Sequence, residues 1–247
     1  MQSPLLQEKS SFLGAFGAIL KVLEVSIQTL WDARRGRLTP AVVDARARHL
    51  GEHVLGLARA RITVEGAERL DPEQAYLYMS NHESLMDIPL IFATAPRPPR
   101  MVAKAELFKV PIWGPALKVA GFIPVDRKNR TQAFASLKEG GAQMGEGTSV
   151  WIAPEGTRSR DGSLLPFKKG GFMLAFQTNA KIVPVGIVGA RNIVRPKSFK
   201  AYLDQEVVVR YGEPIDVASY GVDRRDELMR DVRQAIEALR APMPAKV

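Results

Sequence analysis

AYLYMSNHESLMDIPLIFA, residues 75–93, changes character twice within nineteen residues. Ala75 to Met79 is a short run of apolar and aromatic residues, the pattern of a buried strand. The polar stretch around Asn81, His82 and Glu83 interrupts it. From Ser84 to Ala93 the apolar residues follow helical rather than alternating spacing. Strand, polar loop and helix in that order are the unit of an α/β fold, and the residues just past the strand are where such folds build their sites.

The same alternation extends in both directions. Candidate strands are Arg61–Glu65, Ala75–Met79, Met101–Ala103, Gly121–Val125, Ser149–Ala153, Ile182–Val188 and Val207–Tyr211. Candidate helices are Ser84–Ala93, Gln132–Met144, Gly170–Asn179 and a last amphipathic one over Arg224–Arg240. The expected fold class is α/β: a layered domain with a mixed, mostly parallel central sheet flanked by helices, preceded by an N-terminal amphipathic helical hairpin. The expected division is residues 1–60 for the hairpin and 61–247 for the α/β domain. No internal repeat or low-complexity linker interrupts the chain, and the proline-rich stretch at 95–100 reads as a local loop.

Before Arg61 the pattern is purely helical. Phe12, Phe16, Ile19, Leu23, Ile27 and Leu30 recur at spacings of three and four, with Lys21, Glu24 and Gln28 on another face. Those three polar residues make the segment a poor spanning helix. It also lacks the basic n-region and cleavage site of a signal peptide. Trp31 and the trio Arg34, Arg35 and Arg37 close the segment, as befits a helix lying at a lipid headgroup boundary. Periodicity alone leaves two readings open, an interfacial helix and one that faces a protein core. Thr39-Pro40 then reads as an N-cap with proline at the first helical position, starting a second helix that runs to about Arg59.

Lys and Arg outnumber Asp and Glu by 35 to 26, a net charge of +9 over 247 residues. Such an excess points to an anionic partner: nucleic acid, an anionic membrane or a phosphorylated substrate. No zinc-finger, homeodomain or aromatic RNP pattern supports nucleic acid. Cysteine is absent, which removes disulfides, cysteine-based zinc sites and a cysteine nucleophile. His49 and His53 stand four apart on the second helix without an acidic third ligand nearby, and no metal or cofactor is expected.

His82 followed five positions later by Asp87 has the makings of a base and its orienting carboxylate. Gly121 to Arg127 is a strand running out to an arginine. Val150 to Ala153 is another, followed by Pro154-Glu155-Gly156-Thr157-Arg158-Ser159. Glycine permits close backbone approach, and arginine holds phosphate oxygens in a fork. No G-x-S-x-G elbow is present, and Ser84 reads as a helix-start residue rather than a nucleophile.

With these blocks together the chain resembles the 1-acylglycerol-3-phosphate O-acyltransferase family. The N-H-x-x-x-x-D block is matched from Asn81 to Asp87, and the second block from Gly121 to Arg127. The F-P-E-G-T-R-S block runs from Ala153 to Ser159, with alanine where phenylalanine is usual; the V-P-V-x-I block runs from Val183 to Ile187. Lys104 to Phe108 and Pro111 to Gly114 also look like the family's segment before the second block. The resemblance spans Arg61 to Tyr211. It implies direct acyl transfer, with His82 as base and Asp87 as its partner. Arg127 and Arg158 would hold the acceptor phosphate, Glu155, Gly156 and Thr157 would shape that pocket, and Lys104 is a weaker phosphate candidate. The implied donor is acyl-CoA or acyl-carrier protein, and the implied acceptor is a membrane lipid. Other acceptors remain open: glycerol 3-phosphate, another lysophospholipid or a lyso-aminolipid. A non-enzymatic peripheral membrane protein is the distant alternative. The family's N-terminal helical pair docks on the bilayer, which favours the interfacial reading and a monotopic protein on the cytoplasmic face of an anionic membrane. Oligomeric state leaves no mark in the sequence.

Overall fold

The computed structural model describes residues 10–11, 13–126, 130–145, 147–195, 198 and 200–242. In chain order the elements are β1 (Ser10–Ser11), α1 (Leu13–Arg34), α2 (Pro40–Leu57), β2 (Arg61–Glu65), β3 (Leu77–Ser80), α3 (Asp87–Thr94), β4 (Arg100–Lys104), α4 (Trp113–Val119), β5 (Ile123–Val125), α5 (Arg130–Gly145), β6 (Val150–Ile152), α6 (Gly170–Thr178), β7 (Ile182–Val188), α7 (Ala190–Ile193), β8 (Ala201–Tyr202), β9 (Glu206–Tyr211) and α8 (Arg225–Leu239). The main sheet has seven strands in the order β2-β9-β7-β3-β6-β4-β5, and β1 pairs separately with β8. Every ladder of the main sheet is parallel except β7 with β9, so the mixed, mostly parallel architecture expected from the sequence is what forms.

Parallel strands need cover on both faces, and the residues of β3 show how it is provided. Tyr78 joins the core formed with α2, α3 and α4. Leu77 and Met79, on the other face, pack with Leu137 of α5, Phe172 and Leu174 of α6, and Leu228, Val232 and Ile236 of α8. That last trio is the apolar stripe of the expected C-terminal helix, spaced at i, i+4 and i+8.

Residues on both sides of the expected boundary at residue 60 share one core: Val43, Ala47, Leu55 and Ala58 lie in the same cluster as Tyr78, Leu90 and Val185. Thr39 caps α2 through Val42 N–H, as its position before Pro40 predicts. A Cβ on Gly51 would fall 2.6 Å from the Pro89 carbonyl oxygen, so only glycine lets α2 approach α3 this closely. Arg48 of α2 donates to the carbonyls of Ala93, Ala95 and Pro96 at the end of α3, and Asp44 pairs with buried Arg100 at 2.6 Å. The hairpin thus braces the helix that carries Asp87.

One boundary changes in detail. α3 begins at Asp87, not Ser84, because the backbone N–H groups of Glu83 and Ser84 turn into the Asp87 carboxylate instead of continuing a helix. In α1, Ser26 and Thr29 face inward and bond the carbonyls of Val22 and Val25, while Phe16, Ile19, Leu20, Leu23, Ile27 and Trp31 face outward and are exposed. Phe12 lies outside the described residues. Among the described residues no helix is long and apolar enough to cross a membrane.

Candidate active site

Because β3 runs parallel to its neighbours β6 and β7, the carboxyl ends of all three emerge on one edge of the sheet. β4 and β5 add their carboxyl ends to the same edge. The segments that leave it are those of the sequence blocks: Asn81 to Asp87 after β3, Lys104 at the end of β4, and Pro154 to Ser159 after β6. Arg127, after β5, lies outside the described residues.

The loop after β3 is held chiefly by groups other than the imidazole. The Asn81 side chain donates to the Ile187 carbonyl at 2.9 Å and accepts from Ile187 N–H at 2.8 Å, which extends the β3–β7 pairing by one residue. The fourth block therefore supplies a backbone partner for the first. His82 N–H donates to Glu155 Oε1 at 2.9 Å, and the His82 carbonyl accepts from Ser159 N–H at 2.7 Å. The third block wraps the first through these two bonds.

With the backbone fixed, His82 Nδ1 lies 2.7 Å from Asp87 Oδ2, an oxygen that also accepts from the N–H groups of Glu83 and Ser84. Asp87 is fully buried; Oδ2 takes all three of these contacts, while Oδ1 is buried with no hydrogen-bond partner among the described residues. With Nδ1 donating to this carboxylate, Nε2 would be the ring nitrogen available to accept a proton. Trp151 meets the His82 ring edge to face at 5.8 Å between centroids, and its indole N–H donates to Ser80 Oγ at 3.0 Å. Asp87, the two backbone bonds and Trp151 together define the orientation of the imidazole.

Glu155 is buried, and both its oxygens are engaged: Oε1 by His82 N–H and Oε2 by Leu165 N–H at 2.9 Å. Burial pushes its carboxyl above the usual range, partly offset by those two donors. Each oxygen of Glu155 thus holds a backbone N–H, one of them that of His82. Gly156 takes φ +70° at the bend of the turn, which presents Thr157 and Arg158 to solvent. These two line a groove of about 370 Å³ with Arg160, Asp161, Ser163 and Leu165. Arg158 has no acidic partner among the described residues. Lys104, by contrast, is paired with Glu106 at 3.1 Å.

Beside the loop lies a larger, apolar cavity of about 550 Å³. Leu85, Met86 and Phe92 line it next to the dyad, with α1, Leu50 and Val54 of α2, and Trp113 of α4. Val43 and Leu57 of α2 face this space as well.

Sequence reasoning missed the roles of Trp151, Asn81 and Glu83. Glu83 is buried beside the dyad, and its carboxyl is pushed up to about 7 by burial and by Asp87, against the pull of Arg240 and Arg191. His49 and His53 are exposed with ring centroids 6.3 Å apart, and no group of three potential metal ligands forms among the described residues.

A family model described as Acyltransferase matches residues 61–188, more than half of the chain and all four blocks. The chain belongs to the acyltransferase family. This acyltransferase is 34% identical over 182 residues to the 1-acyl-sn-glycerol-3-phosphate acyltransferase of Limnanthes douglasii, a match covering 73% of the chain and 64% of that relative. It is 37% identical over 134 residues to 1-acyl-sn-glycerol-3-phosphate acyltransferase alpha of Homo sapiens, covering 54% of the chain and 47% of the relative. The chain spans about half to two thirds of the length of these relatives. The acyltransferase fold also matches the crystal structure of the 1-acyl-sn-glycerophosphate (LPA) acyltransferase, PlsC, from Thermotoga maritima, with a TM-score of 0.70 at 24% identity, over 92% of this chain and 99% of that one.

Proposed function

We propose that this chain transfers a fatty acyl group from acyl-CoA or acyl-carrier protein to the free hydroxyl of 1-acylglycerol 3-phosphate, giving phosphatidic acid. The observation that carries this reading is the 2.7 Å His82–Asp87 contact, on a loop whose Leu85 and Met86 line the apolar cavity and whose His82 backbone is bonded to Glu155 and Ser159 of the turn bearing Arg158, which has no acidic partner among the described residues. Nε2 accepts the hydroxyl proton as the oxygen attacks the thioester carbonyl. The new ester bond forms, the C–S bond breaks, and the thiolate leaves and takes up the proton from the imidazolium. Asp87 stabilises that imidazolium. The cavity suits an acyl chain because its walls are aliphatic and aromatic. Arg158 suits the acceptor phosphate, which its fork grips in bidentate fashion. Arg127 and Lys104 are assigned to the same phosphate.

Membrane docking belongs to the same proposal. The exposed apolar stripe of α1 ends in Trp31, whose ring lies under the Arg35 guanidinium at 4.1 Å. Lipid is the environment that suits such a stripe, and Arg34, Arg35 and Arg37 suit anionic headgroups on the cytoplasmic face.

The test is transfer of labelled palmitate from palmitoyl-CoA, and separately from palmitoyl-acyl-carrier protein, to 1-acylglycerol 3-phosphate in vesicles, by wild type and His82→Ala. Wild type makes phosphatidic acid from at least one donor, and the variant is slower by about 10²–10⁴-fold. Transfer by His82→Ala at the wild-type rate removes His82 as the base. No transfer by wild type with either donor removes this acceptor.

A further inference from the structure

Gly156 bends the turn that carries Thr157 and Arg158, and the bare face of that glycine is not open to solvent. A Cβ there would fall 2.9 Å from each of Cδ, Cε and Nζ of Lys168. The lysine stem therefore lies flat across the turn, with the ammonium against it. Its backbone is fixed by a 2.8 Å bond from Lys168 N–H to the Pro154 carbonyl, at the base of the same turn. Lys168 and Arg158, ten positions apart in sequence, thus approach one short turn from two directions, next to the backbone that holds His82.

Neither cation has an acidic partner among the described residues. Elsewhere on the surface cations are commonly paired: Arg37 with Asp32, Arg59 with Asp204, Arg69 with Glu213, Lys104 with Glu106 and Arg210 with Glu65. Two unneutralised cations held on one turn repel each other, and an anion between them turns that repulsion into attraction. An arginine fork takes two oxygens of a phosphate. A lysine supplies a compact point charge that serves a further oxygen and the second unit of negative charge. A phosphomonoester carries about −1.5 to −2 at pH 7, whereas a phosphodiester carries one charge and has one free oxygen fewer.

We propose that Lys168 is a further ligand of the acceptor phosphate and sets the preference for a phosphomonoester over a phosphodiester lysolipid. This inference rests on the reading of Arg158 as a phosphate ligand. It narrows the acceptor class by charge: the terminal phosphate of 1-acylglycerol 3-phosphate engages both cations, and a headgroup-substituted lysophospholipid loses most of what Lys168 contributes.

The experiment compares full-length wild type, Lys168→Gln, Lys168→Arg and Arg158→Gln. Each is assayed for kcat and KM with 1-acylglycerol 3-phosphate, and for inhibition by 1-acylglycerophosphoglycerol, a diester that reports as a competitor whether or not it is acylated. Lys168→Gln raises the monoester KM by roughly 10–100-fold, as for loss of one charged hydrogen bond, and shifts the diester inhibition constant by less than about 3-fold. Lys168→Arg keeps most of the monoester affinity. A wild-type KM in Lys168→Gln beside a raised KM in Arg158→Gln overturns the role of Lys168 and leaves the phosphate site standing. An unchanged KM in Arg158→Gln removes the phosphate site, and this inference with it. Equal losses for monoester and diester in Lys168→Gln, with a lowered melting temperature, assign the lysine to holding the turn and also overturn the proposal.

Discussion

Replacing Glu155 by glutamine separates two roles that the E-G-T-R block leaves confounded. Glu155 Oε1 accepts from His82 N–H and Oε2 from Leu165 N–H, both at 2.9 Å and both out of solvent. Glutamine keeps the shape and one acceptor oxygen but places an NH2 against the other N–H. One charge-assisted bond is lost, one buried donor faces another donor, and the remaining bond weakens to a neutral one. The expected destabilisation is ~2–3 kcal/mol. In urea, with a slope of about 2 kcal/mol per M, the unfolding midpoint falls by about 1 M. Whichever bond is lost, the carbonyl side of the loop is still held by Ser159, so His82 shifts rather than detaches, and a shift approaching 1 Å lowers kcat by up to about 10²-fold. The acceptor KM stays within about 3-fold of wild type, because the glutamate carries no open ligand oxygen. Urea unfolding followed by tryptophan fluorescence, together with steady-state kinetics, reads all three quantities. A wild-type midpoint and kcat with a raised acceptor KM would refute the reasoning and return Glu155 to the substrate.

Two further outcomes follow from other parts of the molecule. Leu20→Asp and Ile27→Asp alter exposed residues of the α1 stripe that do not line the apolar cavity, so melting temperatures stay at wild type. Partitioning onto phosphatidylglycerol-containing vesicles falls for each variant by at least about 10-fold, from the loss of ~1.5–3 kcal/mol per buried aliphatic chain; unchanged co-sedimentation would move the membrane contact elsewhere. Glu83, with its carboxyl raised from 4.5 to about 7, holds its proton more tightly folded than unfolded. Its neutral form supports the fold fully below about pH 4.5, and that support is lost as pH rises through about 7. Glu83→Gln keeps the neutral shape, so its stability advantage over wild type grows between pH 5 and pH 8, by at most ~3 kcal/mol. Parallel urea midpoints for the two proteins across that range would rule out the raised carboxyl.

The strands and their partner helices were legible because each carries its own pattern: Ile182–Val188 is a continuous apolar run, and Leu228, Val232 and Ile236 repeat at helical spacing. The His82–Asp87 pair was legible through the family resemblance that the four blocks carry together, since a histidine and an aspartate five positions apart say little alone. What supports the dyad was not, since those bonds join residues far apart in the chain: Asn81 with Ile187 across 106 positions, and His82 with Glu155 across 73. No periodicity encodes such pairs. The start of α3 was misplaced for a related reason, because the Asp87 side chain competes with the helix for the N–H groups of Glu83 and Ser84. In α1 the amphipathic pattern gave two faces but not which one meets the body of the protein. The inward face proved to be the one with Ser26 and Thr29, whose hydroxyls are satisfied within the helix itself.

The loop after β3 is stapled at Asn81, at His82 N–H and at the His82 carbonyl, and none of those three fastenings passes through the imidazole. Scaffold and reagent are therefore separable at this position. On the proposed reading, a variant stripped of the ring keeps the apolar cavity and the Arg158 turn in register, and binds both substrates while turning them over about 10²–10⁴-fold more slowly. Donor and acceptor added together to such a variant would then persist side by side for longer, and the proposal predicts that the unreacted ternary complex can be trapped for crystallisation.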